Sequence, residues 1–427
     1  MIKILYCNNK NYISKISKLV RKRKSDAKIS KNVVSKIIND VKKHGDKAVL
    51  KYEKKYTKNN KIIINKKKIS KSIRSLDSKI KKAIDIAYNR IYKFHSKQKV
   101  KNIFFRDKLH NKFYYKYKPI DSVGIYVPGG NASFPSTVLM NAIPAKIAGV
   151  KRIVMINPKI NGAQSSGVLY AAKKLGIKEI YSIGGAQAIA AIAYGTKKIK
   201  KVNKIVGPGN IFVSAAKKEV FGDVGVDMVA GPSEITVVAD KFSNESWVAA
   251  DLLAQAEHDI NSQSILISKD IDFINRVKNS IICQLKNLPR KFIAKKSLEL
   301  NGILIRAYSN KQIIDIINMI SPEHLELNIK NYNTILNKIN NAGSICLGNY
   351  SAMAVTDYNA GTNHILPTNS SAKFSSGLSV YDFYKRISYI NLSKKGIETL
   401  GPSVITLAKF EGLEGHAKSI KIRLGRN

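Results

Sequence analysis

Three stretches decide the fold: residues 120–130 read IDSVGIYVPGG, 179–185 read EIYSIGG and 204–210 read KIVGPGN. Each is a short apolar run that stops at Gly or Pro-Gly, the pattern of a buried strand feeding a tight loop. Residues 151–156 (KRIVMI) predict a further strand. Residues 167–175, a small-residue stretch through Tyr194 and another through Val220 predict helices. Strands that alternate with helices build βαβ units, which bury a parallel sheet between helical layers. The alternation continues with strands at 234–239, 264–267, 302–305 and 343–347, and a helix from 243 to about 258.

This reads as an α/β chain of two Rossmann-like domains with parallel-rich sheets and small helical appendages at both ends. An N-terminal arm would cover 1–22. A discontinuous first α/β domain would take 23–125 and 234–380, with a helical N-terminal layer. A second α/β domain would take 126–233, and a C-terminal appendage 381–427, read as a strand and one long helix. Within the N-terminal layer, residues 33–56 place apolar side chains at helical spacing, with Asp40 and Lys43 outward.

The 427 residues include 74 Lys and Arg against 29 Asp and Glu, a net charge of +45. At 44 % hydrophobic residues the chain has enough apolar surface for a packed core and too much for disorder. Cys7, Cys283 and Cys346 are scattered and odd in number, which excludes a disulfide scaffold. No apolar run reaches the roughly 18 residues of a membrane span, and the first apolar residues are too few for a signal peptide. A bacterial cytoplasmic location is expected. The basic residues are spread along the chain and Lys outnumbers Arg. The densest runs, 21–24, 66–68 and 197–201, carry no interleaved aromatics. Lys, Asn and Ile, all in excess, share A/T-rich codons, so the charge reads as a solvated surface rather than a nucleic-acid site.

None of the glycine loops is a G-x-G-x-x-G, so the dinucleotide fingerprint is absent. Three such loops in one domain still favour a phosphate-bearing ligand outside the carboxyl ends of the strands, where backbone can approach closely and helix N-termini offer N–H groups. Asn131, Gln187 and Asn210 stand just after the glycines, where an amide can reach a cofactor.

Four histidines keep polar company: His258, His324, His364 and His416. Gln255 and His258 are i, i+3 at the close of a helix and share a face; they suit one metal ion, or His258 simply meets the helix dipole. In residues 321–327, SPEHLEL, Pro322 suggests a helix beginning there. Glu323 and His324, being adjacent, point different ways, and His324 suits general-base work; an acid favouring the helix dipole is the bland alternative. Residues 357–364 (DYNAGTNH) read as a polar loop in which Asp357 is an oxygen ligand or a turn former. Residues 411–416 (EGLEGH) break a terminal helix with two glycines.

Together these segments resemble the histidinol dehydrogenase family. The resemblance is collinear through 126–137 (YVPGGNASFPST), 184–196 (GGAQAIAAIAYGT), 206–210 (VGPGN), 227–234 (DMVAGPSE), 252–259 (LLAQAEHD), 321–327, 357–368 (DYNAGTNHILPT), 376–383 (SGLSVYDF) and 411–416. It implies NAD-dependent, four-electron oxidation of L-histidinol to L-histidine through the aldehyde, with one Zn2+ per subunit of a homodimer. It implies Gln255, His258, Asp357 and His416 as zinc ligands, His416 coming from the partner subunit. Glu323 and His324 would be the acid–base pair. Ser233 and Glu411 would join Gln255, His258, His324, Asp357 and His416 around the substrate, and Tyr126, Gln187 and Asn210 would touch NAD. The chain departs from the family pattern at Thr356 and Gly415, which stand where Gly and Ala are usual, and in its basic surface. The competing readings are another NAD-dependent alcohol dehydrogenase on the same scaffold, and a nucleic-acid-binding protein driven by charge.

Overall fold

A computed structural model describes residues 2–8, 11–22, 28–64, 66–129, 133–159, 162–229 and 231–425. Gly130, Asn131 and the end of the basic run 21–24 lie outside the described residues. Contacts divide the chain into one unit of 1–98 and 121–382, and a second of 99–120 and 383–427.

The larger unit holds two wholly parallel sheets. One has five strands in the order Glu179–Tyr181, Arg152–Ile156, Ser122–Tyr126, Lys204–Val206, Gly225–Val226. The first strand in sequence lies at the centre and the order reverses around it, so a crevice opens at the carboxyl ends of Ser122–Tyr126 and Lys204–Val206. The other sheet has six strands in the order Lys3–Tyr6, Ile303–Arg306, Gln263–Ser268, Glu234–Ala239, His324–Asn328, Ser344–Leu347. Its three central strands Gln263–Ser268, Glu234–Ala239 and His324–Asn328 are buried at every residue, as sheets covered on both faces require. The α/β class with parallel sheets is therefore as the sequence predicts.

Several local readings differ. Lys3–Tyr6 is an edge strand paired with Ile303–Arg306, not part of an arm; a four-residue strand shows no periodicity until its distant partner is known. The helices Lys28–His44 and Asp46–Thr57 bury Val34, Ile37, Ile38, Val41, Val49 and Tyr52 in one core with Tyr126, Val154, Ile156 and Ile189. The N-terminal layer thus covers the five-stranded sheet, not the six-stranded one. Helical spacing specifies a buried face but not which sheet receives it. Pro322 begins no helix. The helix Asn310–Ile320 ends at Ser321, in the left-handed conformation (φ 51°), and the strand His324–Asn328 follows. Alternating His, Leu, Glu, Leu fits a strand, and Pro is tolerated just before one. Asp357 lies not in a loop but in the short helix Met353–Tyr358.

In the smaller unit, Tyr384–Asn391, Lys112–Pro119 and Ile103–Arg106 form an antiparallel sheet. Two helices follow, Lys394–Phe410 and Glu414–Arg423, so the appendage is a sheet with a helical hairpin rather than one long helix. The break falls at Glu411–Leu413, where Gly412 adopts φ 75°.

Candidate active site

The two parallel sheets contribute opposite strand ends. From the five-stranded sheet comes the carboxyl end of Lys204–Val206, at Gly207–Pro208. From the six-stranded sheet come amino ends: Ser233 just before Glu234–Ala239, and Glu323–His324 at the start of His324–Asn328. Gly207, Pro208, Met228, Gly231, Ser233, Glu323, His364 and Thr368 line one small crevice of about 50 Å³.

Glu323, just before the strand, and His324, its first residue, are both buried, and their side chains come near each other rather than pointing apart. Glu323 Oε2 accepts the Glu234 backbone N–H at 2.8 Å, which ties it to the neighbouring strand. His324 Nε2 lies 3.9 Å from Glu323 Oε1 and 3.7 Å from Asp357 Oδ1, and its Nδ1 is buried with no partner. Burial, and then the nearby imidazoles of His364 and His258, push the His324 ring down to about 3, so it is neutral. Burial pushes the Asp357 carboxyl up to about 7. His364 Nδ1 meets the Asp357 carbonyl at 2.8 Å, and burial holds that ring down at about 4.

Gln255 sits in the last turn of the helix Glu245–Ala256, buried, and its Oε1 has no hydrogen-bond partner. His258 follows the helix end, its N–H donating to the Gln255 carbonyl at 3.3 Å, and stands exposed. Glu411 caps the helix Lys394–Phe410 and His416 lies in Glu414–Arg423; both are exposed members of the smaller unit. Among the described residues no three His, Cys, Asp or Glu side chains gather as a metal site.

Of the residues expected at a cofactor, Tyr126 is buried and its hydroxyl accepts the Gly185 N–H at 3.1 Å. Gln187 is buried and donates its amide to Glu53 Oε1 at 2.9 Å, an oxygen that also accepts the Gly184 N–H at 2.8 Å. Asn210 caps the helix Ile211–Val220, its carboxamide oxygen accepting from Phe212 and Val213 N–H at 3.1 Å each. Its NH2 group projects from an exposed residue.

The sequence reading missed four supports. Glu53 holds the Gly184–Gly185 turn from a distant helix. Lys217 and Asp227 bracket Gly207. Glu326, two residues beyond His324 on the same strand face, accepts the Met353 N–H at 2.6 Å and the Asn328 amide at 3.1 Å, and shares a hydrogen bond with Asp251. Burial and then Asp251 raise the Glu326 carboxyl, so the pair keeps a proton. One buried acid thereby joins the strand of His324, the helix of Gln255 and the first turn of the Asp357 helix. The Glu326 signal was visible in the sequence as the second acid of SPEHLEL; the other three lie on no motif that chemistry alone singles out.

Comparison with known proteins agrees along the whole chain. The profile of the histidinol dehydrogenase family matches residues 20–424. A histidinol dehydrogenase of Pelagibacter ubique is 65 % identical over 427 residues, 100 % of both chains. Histidinol dehydrogenase 1 of Trichormus variabilis is 43 % identical over 99 % of this chain and 98 % of its own. The crystal structure of histidinol dehydrogenase from Elizabethkingia anophelis superposes with a TM-score of 0.94 at 38 % identity, covering 99 % of this chain and 98 % of that one. On profile match, identity, fold and near-complete coverage alike, the chain belongs to the histidinol dehydrogenase family, NAD-dependent oxidoreductases of histidine biosynthesis.

Proposed function

We propose that this chain oxidises L-histidinol through L-histidinal to L-histidine with two equivalents of NAD, in a homodimer holding one Zn2+ per subunit. The observation that carries the catalytic part is the buried His324, its Nε2 facing both Glu323 Oε1 and Asp357 Oδ1. His324 takes the hydroxyl proton of the carbinol in the first oxidation. NAD, when bound, accepts the hydride of each oxidation, and we assign its place to the loops of 126–233, with Tyr126, Gln187 and Asn210 nearest. Glu323, anchored by the Glu234 N–H, activates the water that adds to the aldehyde. As water adds, His324 returns its proton to the aldehyde oxygen, and, neutral again, takes a hydroxyl proton of the hydrate in the second oxidation. Burial of both side chains keeps bulk water from the aldehyde between the steps.

Two observations support the metal assignment. Gln255 Oε1 is a buried acceptor without a donor, which a cation satisfies. The set Gln255, His258 and Asp357, with His416 from a second copy, is an N/O shell that zinc accepts. Zinc, when bound, supplies a Lewis-acidic anchor for the amine and imidazole of histidinol. Ser233, His324 and the ligand residues surround the rest of the substrate, with Glu411 supplied, like His416, by the second copy.

Among the described residues no helix is long and apolar enough to cross a membrane. The test is NADH formation from histidinol and NAD with and without a zinc chelator. Two NADH per histidinol, lost on chelation and restored by zinc, is the expected result. Turnover of another alcohol in place of histidinol would favour the related-dehydrogenase reading, and no turnover by a folded, zinc-loaded dimer would sink the proposal.

A further inference from the structure

The strand Lys204–Val206 ends at Gly207, where φ is +108° and an added Cβ would stand 2.3 Å from the Tyr126 carbonyl oxygen. Only glycine keeps this turn. Two side chains grip both polar atoms of the same residue. Asp227 Oδ2 accepts the Gly207 N–H at 2.7 Å, and Lys217 Nζ donates to the Gly207 carbonyl at 2.9 Å. Lys217 Nζ also pairs directly with Asp227 Oδ1, which closes a ring of charge-assisted hydrogen bonds around one glycine. Both side chains are almost wholly inside, 2 % and 1 % exposed.

A lysine soon after a glycine-rich loop invites reading as a phosphate contact. Here its ammonium is turned inward and neutralised, so it touches no ligand. Nor does stability explain the pair, because a buried ion pair is often no better than a well-packed apolar replacement. What the ring does is select one position of the Gly207–Pro208 backbone. That backbone lines the crevice shared with Ser233, Glu323 and His364.

We propose that Lys217 and Asp227 are positioning residues for the cofactor: by clamping both polar atoms of Gly207 they set the wall that places the nicotinamide against the carbinol. This rests on the NAD reading above. The test compares the parent with Lys217→Met/Asp227→Leu, which removes both charges together, and with Asp227→Asn, which keeps an acceptor for the Gly207 N–H. NADH affinity is read by fluorescence, KM is taken for NAD and for histidinol, and zinc per subunit and the melting temperature are recorded. Since small misplacements at a reacting centre are costly, the double variant should weaken NADH binding and raise KM for NAD by about tenfold or more. KM for histidinol and zinc content should stay within about twofold of the parent, and Asp227→Asn should show a smaller shift of the same kind. If the double variant does not fold, Asp227→Asn alone carries the same split. Unchanged NADH binding in a folded variant overturns the proposal, as does an equal loss of histidinol affinity, NADH affinity and zinc. A parent that binds no NADH overturns the NAD reading itself.

Discussion

His324 Nε2 lies 3.7 Å from Asp357 Oδ1, although the two residues belong to a strand and a helix separated in sequence by a short helix and a further strand. The proposed base and a proposed metal ligand thus share one buried space while doing different work. Replacing His324 with Ala should lower kcat by roughly 10²–10⁴-fold, the usual worth of a positioned base, with zinc content unchanged. Asp357→Ala should instead lose zinc. Metal analysis beside single-turnover rates checks both; loss of zinc from His324→Ala would reverse the assignment.

Glu326 predicts a different pattern. Glu326→Gln keeps an oxygen for the Met353 N–H and an amide that can donate to Asp251, and gives up only the acceptor of the Asn328 amide, so it should fold, bind zinc and turn over with a smaller loss than the Leu variant. Glu326→Leu orphans the Met353 N–H and the Asn328 amide, at about 1–3 kcal/mol for each buried group. The melting temperature and zinc content of the two variants should therefore separate; equal behaviour would remove Glu326 from the support of the site.

Glu53 should couple the N-terminal helices to the cofactor loops. Glu53→Ala leaves the Gly184 N–H and the Gln187 amide buried without their acceptor, again about 1–3 kcal/mol apiece. The expected result is a lower melting temperature and a raised KM for NAD, with KM for histidinol unaltered. A stability loss without any change in KM for NAD would limit Glu53 to a packing role.

His95 carries a pH dependence away from the site. It is fully buried, its Nδ1 meets the Ile91 carbonyl at 2.9 Å, and its Nε2 has no partner. Burial, only partly opposed by that bond, lowers its pKa below the ordinary 6.5, so the folded state prefers the neutral ring. The unfolded chain then binds more protons as pH falls below that ordinary value. The stabilisation is present above it and is lost on descent through it towards the folded pKa. Melting temperatures at pH 7.5 and 5.5 should differ less in His95→Leu than in the parent; an unchanged difference would count against this account.

Gly415 sits in the first turn of Glu414–Arg423, and a Cβ there meets nothing within 4 Å. Gly415→Ala should stabilise that helix by up to about 1 kcal/mol and leave zinc per subunit level or higher. A fall in zinc would show that the glycine is needed next to His416.

Periodicity and punctuation alone carried the parallel α/β class, because buried strands must be short and apolar and their loops must turn on Gly and Pro. Chemistry-bearing residue types marked Glu323, His324, Gln255, His258, Asp357 and His416 as candidates, and collinear motifs carried the family. Tertiary structure decided what local pattern does not encode. It made SPEHLEL the amino end of a strand, since the alternating Leu325 and Leu327 are buried between sheet neighbours visible only after folding. It set the helices of 28–57 on the five-stranded sheet, because an apolar stripe names no partner. It also brought Glu53, Lys217, Asp227 and Glu326 beside the loops they hold. A charge deep in a protein persists only where its partners converge from elements far apart in sequence, and that convergence is a property of the packed fold.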